Sequence, residues 1–284
     1  MENMTILQAL LLGIFQGIAE FLPISSSGHL LILKELLGLS DVPRLFDVIL
    51  HLATLLSVLV VFRKRIAGIF GALYRWILAG FKSPKKTAAQ SDSDAAYRDS
   101  DAENLALILP ALAATAATGV IGFLLDRYAP IESPRIASAF FLLTAGVLIV
   151  SSRFKGSRGY TQLGVLRGLG VGIAQGVGVF PGISRSGITI AGGLAVGLNR
   201  ETAGEFAFLL AVPAILGAFI LDLKDAVELG SSVGALPLAV GFTAAFAVGI
   251  GALSILMPIV RKGKLSWFAV YLIPVGVLGL FLLR

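Results

Sequence analysis

The chain has 284 residues, of which 56% are hydrophobic and only 14% are charged, and its mean hydropathy is +0.90. This composition excludes a water-soluble globular domain and predicts a polytopic membrane protein. The formal net charge of +6 does not indicate nucleic-acid binding, because the basic residues lie in loops between apolar stretches.

The first apolar segment, residues 5–39, contains a motif that occurs twice in the chain. Residues 13–28 and 172–187 are identical at nine of sixteen aligned positions, which indicates an internal duplication. In each copy a proline precedes serines and a glycine, a pattern that ends one helix and begins a shorter one. We therefore expect residues 5–39 to form a re-entrant hairpin that enters the membrane from outside and returns.

Six apolar stretches are long enough to cross a hydrocarbon core of about 30 Å. They are residues 45–62, 104–125, 136–152, 204–221, 237–260 and 267–283. Lys and Arg are concentrated in the loops that follow the first, third and fifth stretches, so the positive-inside rule predicts that these loops are cytoplasmic. The alternate loops, 126–135 and 222–236, contain acidic residues and are expected to face outward.

The polar stretch 83–103, between the first two spans, predicts a solvated cytoplasmic linker and no separate domain. In the second half, residues 164–199 are expected to enter from the cytoplasmic side and return to it, opposite to the first hairpin. The sequence thus predicts one all-α membrane domain, residues 1–284, with six transmembrane helices and two opposed re-entrant hairpins. The two inverted-topology repeats are expected at about residues 1–125 and 160–284.

The two motif copies differ at positions that carry charge. The first copy has Glu20 and His29 where the second has apolar residues, and the second has Arg185 where the first has Ser26. Two helix N-termini that face a membrane cavity, together with an arginine, suit an anion such as phosphate. The copies are therefore expected to be complementary halves of one site. The serine-rich tips of the two hairpins, residues 25–28 and 184–187, are expected to lie in a shared pocket.

These motifs resemble those of a known family. Gln16 and Glu20 fit its first motif, a Pro-Ile-Ser-Ser-Ser-Gly-His run ends at His29, and a Pro-Gly-Ile-Ser-Arg-Ser-Gly-Ile-Thr run ends at Thr189. They are similar to the signatures of bacterial undecaprenyl pyrophosphate phosphatases of the integral-membrane, bacitracin-resistance type. The resemblance covers nearly the whole chain. It implies hydrolysis of undecaprenyl pyrophosphate to undecaprenyl phosphate and inorganic phosphate, which recycles the lipid carrier for cell-wall synthesis.

The resemblance also implies a location and partners. The protein is expected in the bacterial cytoplasmic (inner) membrane, with its active site open to the outer, periplasmic side. Its expected partners are a polyprenyl pyrophosphate lipid as substrate and the surrounding membrane lipids, without nucleic acid, and a homodimer is left open. A divalent cation, Mg²⁺ or Ca²⁺, is expected as cofactor, held through Glu20 with Gln16 as a second candidate ligand.

The expected catalytic residues are Ser26, His29, Glu20 and Arg185. Ser26 is the expected nucleophile, activated by His29 directly or through a water molecule, because His29 lies three residues further along the same helix start. Hydroxyl and backbone groups of the two tips are expected to bind the substrate phosphates. These phosphate-binding residues are Ser25, Ser27, Gly28, Ser184, Ser186, Gly187 and Thr189.

Several alternatives are open at this point. His29 can itself be the nucleophile, Ser27 offers the chemistry of its neighbour, and Glu20 can act as the general base for water. Inverted repeats also occur in secondary transporters, so a lipid-phosphate flippase or an anion transporter is a second class of function. A lipid-binding protein that confers resistance by sequestration is a third. His51 and Asp47 share one face of the first span but form an isolated pair.

Overall fold

The structure is a computed structural model that describes residues 4–36, 44–80, 92–129, 133–228 and 233–283, and this part of the chain is helical. Its α-helices are α1 (Ile6–Ala19), α2 (Ser26–Leu36), α3 (Arg44–Val61), α4 (Arg63–Leu78), α5 (Asp92–Tyr128), α6 (Pro134–Ser151), α7 (Gly164–Val177), α8 (Arg185–Ala195), α9 (Arg200–Glu228), α10 (Ala235–Arg261) and α11 (Trp267–Leu282). The prediction of an all-α chain is confirmed for the described residues.

Four of these helices contain stretches that are long and apolar enough to cross a membrane. They are Ser100–Tyr128, Pro134–Ser151, Arg200–Leu221 and Ala235–Arg261. They coincide with four of the six predicted spans, so the prediction of a multi-pass membrane protein is confirmed. Helices α3 and α4 give a fifth candidate only together, with a bend of 72° between them, and α11 has only 16 residues. The full count of six spans remains a prediction.

Each copy of the repeated motif forms a helix, a break and a shorter helix, as predicted. Thr5 and Gln8 form a capping box that starts α1. Helix α1 ends just before Glu20, and the chain turns through Pro23 before α2 begins. Helices α2 and α8 have 11 residues each, which is about 16 Å at 1.5 Å per residue and too short to cross a bilayer.

The two halves of the chain interlock through glycines on the first helix of each motif copy. Gly13 and Gly17 of α1 lie directly against the backbone of α10, and two glycines of α7, Gly168 and Gly172, lie against that of α5. Close approach of helix backbones through small residues is typical of helix pairs in membranes. Because each pair joins an early and a late part of the chain, neither half packs as an independent unit.

Substitution of a glycine in the α1–α10 contact is expected to destabilise the protein. A Cβ atom at Gly17 would lie 2.7 Å from the carbonyl oxygen of Ala245, which is backbone and has little freedom to move. We expect Gly17→Ala to cost about 1–3 kcal/mol and to lower the Tm in detergent by several degrees. Gly119→Ala is the matched control, because a Cβ there meets nothing within 4 Å. Equal Tm values for the two variants would contradict close packing at Gly17.

Parts of the predicted loops lie outside the described residues. The structure does not describe residues 81–91 of the predicted linker region, and α5 begins at Asp92 within the predicted stretch 83–103. The acidic loops predicted to face outward also lie partly outside the described residues.

The described helices place the two motif breaks together in the interior, where Phe21 packs against Phe208 of α9 with ring centroids 6.0 Å apart.

Candidate active site

The two motif tips meet although they lie far apart in sequence. The backbone N–H of Gly182 donates a hydrogen bond of 3.0 Å to the Ser25 hydroxyl. Gly28 lies so close to Gly182 that a Cβ atom at Gly28 would be 2.6 Å from the Gly182 nitrogen, and Gly187 lies against Pro23. The predicted shared location of the two serine-rich tips is therefore confirmed.

Thr144 of α6 ties the second tip to the helix behind it. Its hydroxyl donates to the carbonyl oxygen of Gly182 at 2.9 Å and accepts from the N–H of Ser184 at 3.2 Å. Backbone groups in a membrane interior need such partners, since water does not supply them there. Thr144 was not predicted from the sequence, because nothing in the apolar stretch around it distinguishes this hydroxyl from one that bonds within its own helix.

Thr144→Val is expected to destabilise the tip without a change in side-chain shape. The substitution leaves the Gly182 carbonyl and the Ser184 N–H without their partner, at a cost of about 1–3 kcal/mol for each buried group. Thr243→Val is the matched control, because the exposed Thr243 hydroxyl donates to Ala239 of its own helix. We expect a lower Tm for the first variant only, and equal thermal unfolding of both would contradict the bracing role.

Glu20, Ser26 and Arg185 form the chemical centre of the site. The Glu20 side chain is only 3% exposed, and one carboxylate oxygen forms an ion pair with the Arg185 guanidinium. The Ser26 hydroxyl donates to the other oxygen, Oε2, at 2.7 Å, and the Gln16 side-chain amide donates to the same oxygen at 3.0 Å. Glu20 and Arg185, two of the positions at which the motif copies differ, thus contact each other as an ion pair. Ser26 directs its proton at a base.

His51 of α3 also approaches this carboxylate. Its Nε2 atom lies 3.7 Å from Glu20 Oε2, while its Nδ1 is 2.8 Å from the backbone carbonyl oxygen of Asp47. The Asp47 carboxylate forms an ion pair with Lys34 of α2. The sequence indicated His51 and Asp47 only as an isolated pair. The signal that was available is that His51 is one of two histidines in the chain and lies within an apolar span.

His29 does not contact the Ser26 hydroxyl. The predicted direct activation of Ser26 by His29 is therefore not supported by a contact in this structure. Its Nδ1 is 2.8 Å from the carbonyl oxygen of Ser25 and its Nε2 is 2.9 Å from the hydroxyl of Tyr271 on α11. The ring is 5% exposed and packs against Phe141, with ring centroids 4.4 Å apart. The physical reason is that the ring turns back to the carbonyl four residues earlier in the chain, away from the open side of the helix start.

The predicted phosphate-binding residues fall into two groups. Ser25 and Ser184 are buried, and the Ser184 hydroxyl accepts from the N–H of Gly187 at 3.1 Å as a helix cap. Ser27 and Ser186 are half-buried, and their hydroxyls lie 3.5 and 3.2 Å from those of the two capping serines. The first group shapes the tips, and the second can reach a ligand.

A small cavity adjoins the ion pair on the side of α7, α8 and α9. Glu20, Arg185, Ser186, Gln175 and Thr189 contribute its polar lining, and side chains of α9 contribute apolar lining. The Thr189 hydroxyl donates to the Arg185 carbonyl oxygen at 2.6 Å, so Thr189 supports the arginine from within its own helix. The Arg185 guanidinium and the Ser186 hydroxyl both line this cavity, so they can contact the same ligand.

The oxygen donors available to a cation are few. The Gln16 side-chain oxygen is buried and has no hydrogen-bond partner, and it belongs to the amide that donates to Glu20. Among the described residues, no group of three His, Cys, Asp or Glu side chains is arranged to hold a metal ion. One carboxylate and one amide oxygen fit a Mg²⁺-type ion that takes its other ligands from phosphate and water, and they do not fit a site built from protein alone.

Comparison with known proteins gives consistent matches over nearly the whole chain. The model of a family described as "Bacitracin resistance protein BacA" matches residues 9–278. A protein of Treponema denticola named undecaprenyl-diphosphatase is 46% identical over 277 residues, covering 98% of this chain and 97% of that protein. Proteins of the same name from Carboxydothermus hydrogenoformans and Desulfosudis oleivorans are 38% and 40% identical, each over 95% of this chain and over 94% and 96% of their own lengths.

Proposed function

Because the chain belongs to the bacitracin resistance protein BacA family, we propose that it is an undecaprenyl-diphosphatase. It hydrolyses undecaprenyl diphosphate to undecaprenyl phosphate and inorganic phosphate, which recycles the lipid carrier for cell-wall synthesis. The observation that carries this function is the group formed by Glu20, Ser26 and Arg185. It joins a nucleophile, its base and a phosphate-binding cation in one cluster.

The reaction proceeds in two steps on these side chains. The Ser26 oxygen attacks the terminal phosphorus, its proton passes to Glu20 Oε2, and the bond from that phosphorus to the bridging oxygen breaks. Undecaprenyl phosphate leaves with the bridging oxygen and its electron pair. Glu20 gives its proton to the departing lipid phosphate and is again a carboxylate. Water then attacks the phosphoserine, one water proton passes to Glu20, and Glu20 returns it to the Ser26 oxygen as the bond from that oxygen to phosphorus breaks and inorganic phosphate departs. His29 is not needed as a base in this scheme, since Glu20 already accepts the Ser26 hydrogen bond.

Arg185 and the helix starts supply the positive charge that phosphoryl transfer needs. The guanidinium binds phosphate oxygens through two parallel N–H groups, and in the resting protein Glu20 occupies part of that position. Helix α2 begins at Ser26 and helix α8 begins at Arg185. Both helices direct their free N–H groups and the positive ends of their dipoles into the same region. Ser27 and Ser186 are placed to donate further hydrogen bonds to the diphosphate.

Glu20 and Gln16 are the residues that would hold a divalent cation, Mg²⁺ or Ca²⁺, together with the substrate phosphates. The unpartnered oxygen of Gln16 supports this assignment. Such an ion neutralises charge that develops on the phosphoryl oxygens. In the resting protein Glu20 is paired with Arg185, so a bound phosphate that draws the guanidinium toward itself would leave this carboxylate oxygen free for the ion.

The membrane topology is proposed with the function. Motif segments 5–39 and 164–199 are re-entrant hairpins of opposite direction within six spans, in a bacterial inner membrane. The tip-to-tip contact of Ser25 with Gly182 and the short lengths of α2 and α8 support this arrangement. The basic loops support a cytoplasmic location for the loop after α6. That the site opens to the outer side is what the resemblance to the phosphatase family implies. A homodimer remains a prediction, which the mass of the detergent-solubilised protein tests.

The transporter alternative has less support. An alternating carrier needs equivalent half-sites, whereas Glu20 and Ser26 have Val179 and Arg185 at the matching positions of the second copy. The relatives in the comparison are named for hydrolysis and not for transport.

The function is tested with detergent-purified protein and undecaprenyl diphosphate. We expect release of inorganic phosphate with undecaprenyl phosphate as the lipid product, loss of release with a chelator, and recovery when Mg²⁺ or Ca²⁺ is added. Intact lipid diphosphate with no free phosphate, combined with its movement between the leaflets of vesicles, would instead establish the transporter. Release that continues in chelator would overturn the cation and leave the hydrolysis standing.

A further inference from the structure

The turn before α2 has a residue with a side chain in a left-handed backbone conformation, which the second motif copy gives to a glycine. Ser25 has a φ of +70°, and it is the only residue other than glycine with a positive φ in the described part of the chain. The left-handed region is unfavourable for residues with a Cβ atom. The second copy has its left-handed residue at Gly182, where no Cβ is present, and its counterpart of Ser25, Ser184, has a φ of −74°. Only the turn of the first copy therefore needs side-chain contacts that stabilise it, and we call such a set of contacts a brace.

His29 is placed as that brace. The first helical backbone bond of α2, from the His29 N–H to the Ser25 carbonyl oxygen, is long at 3.3 Å, and the His29 Nδ1 adds a second contact of 2.8 Å to the same oxygen. In the second copy the equivalent backbone bond, from Ile188 to Ser184, is 2.8 Å, and an isoleucine occupies the histidine position. The histidine thus occurs only in the copy whose left-handed residue carries a side chain.

Tyr271 completes the brace from another helix. A carbonyl oxygen only accepts, so the His29 Nδ1 must carry the hydrogen, and the neutral ring then accepts at Nε2 from the Tyr271 hydroxyl at 2.9 Å. The rings of Phe15 and Phe141 pack against the imidazole, with centroids 5.2 and 4.4 Å away. Both ring nitrogens are therefore occupied, and the ring plane is held by aromatic contacts.

We propose that His29 and Tyr271 are positioning residues that hold Ser25 in its left-handed conformation and thereby direct Ser26 at Glu20. This role rests on the proposed function, because it describes how the nucleophile of that reaction is presented. The hydrogen bond from the His29 ring keeps the Ser25 carbonyl in place, and the Ser25 hydroxyl in turn accepts the cross-tip bond from Gly182. His29 acts through the Ser25 backbone and does not exchange a proton with Ser26.

The test compares His29→Asn with His29→Ala. An asparagine amide branches from Cγ where Nδ1 does and donates to the Ser25 carbonyl, but it has no basic nitrogen. We expect kcat for His29→Asn to stay within about threefold of the wild type, and kcat for His29→Ala to fall about tenfold or more with KM little changed. Equal losses of about 10²-fold or more in both variants would identify His29 as a base or nucleophile and overturn the positioning role.

Tyr271→Phe removes the hydroxyl and keeps the ring. We expect kcat to fall about three- to tenfold, and Tyr128→Phe, at a tyrosine that is 78% exposed, is the matched control. Wild-type activity in Tyr271→Phe would remove Tyr271 from the brace. Wild-type protein that releases no phosphate would refute the proposed function itself, so the two failures are distinct.

The ring tautomer gives a readout that does not depend on activity. The chain has two histidines, so ¹⁵N-histidine labelling gives signals from two imidazole rings, and the pair lost in His29→Asn belongs to His29. We expect that ring to carry hydrogen on Nδ1 and to show an Nε2 that accepts a hydrogen bond. An Nε2–H tautomer in the wild type would overturn the brace even if His29→Ala fails to fold.

Discussion

Ser26→Ala is expected to abolish phosphate release from undecaprenyl diphosphate, with a fall in kcat of about 10⁴-fold or more. The substitution removes the oxygen that attacks phosphorus, and no neighbouring hydroxyl occupies its place 2.7 Å from Glu20 Oε2. Substrate affinity should change by less than about tenfold, because Arg185 and the backbone N–H groups of both helix starts remain. Phosphate release and binding of labelled lipid are measured on the same purified sample.

Ser27→Ala is the matched control for the nucleophile. Consecutive residues at a helix start point about 100° apart, so the Ser26 and Ser27 hydroxyls do not aim at the same phosphorus. The Ser27 hydroxyl lies 3.5 Å from that of Ser25 and makes no contact with Glu20 in this structure. We expect a loss of about tenfold or less for Ser27→Ala. A ranking in which Ser27→Ala is the inactive variant would move the nucleophile by one residue.

Arg185→Lys is expected to lower kcat by about 10²-fold or more although it keeps the positive charge. A lysine presents a point charge and loses the planar fork that binds two phosphate oxygens at once. It still neutralises Glu20, so the effect on folding should be small, which the Tm of the variant checks. Arg153→Lys, at an exposed loop position, controls for the change of residue type. Near-normal turnover in Arg185→Lys would reduce Arg185 to a structural partner of Glu20.

The meeting of the two tips was predictable because a duplication in a membrane protein constrains geometry. Each break leaves backbone groups without helical partners, and the other break is the partner that an opposed hairpin supplies. The bond between Ser25 and Gly182 is one such contact. The divergence of the copies predicted that Glu20 and Arg185 belong to one site, but the ion pair between their side chains was not predicted.

The other contacts of the site could not be predicted, because they join residues that no repeat or local spacing connects. Thr144, His51 and Tyr271 reach the site from α6, α3 and α11, and only the packing of those helices brings them there. The predicted direct contact of His29 with Ser26 is absent for a local reason. Spacing along a helix places a residue on a face but does not determine which neighbouring carbonyl its ring will bond.

The number of spans shows a similar limit. The apolar stretches of the sequence predicted six spans. Helix α3 is long and apolar enough to cross a membrane only together with α4, and a bend of 72° separates the two helices. Hydropathy therefore located the apolar helices correctly, and it did not determine how many cross the membrane alone.

Quenching of the first turnover in acid and, in a parallel sample, in alkali, followed by mass spectrometry of the peptides, tests most directly whether both motif copies act on one phosphoryl group. We expect phosphate on Ser26 in the wild-type protein and a loss of about 10²-fold or more in its rate of formation in Arg185→Lys. Phosphate on Ser27 or on His29, no phosphoprotein during turnover, or an unchanged rate of Ser26 phosphorylation in Arg185→Lys would contradict a single site built from the two halves.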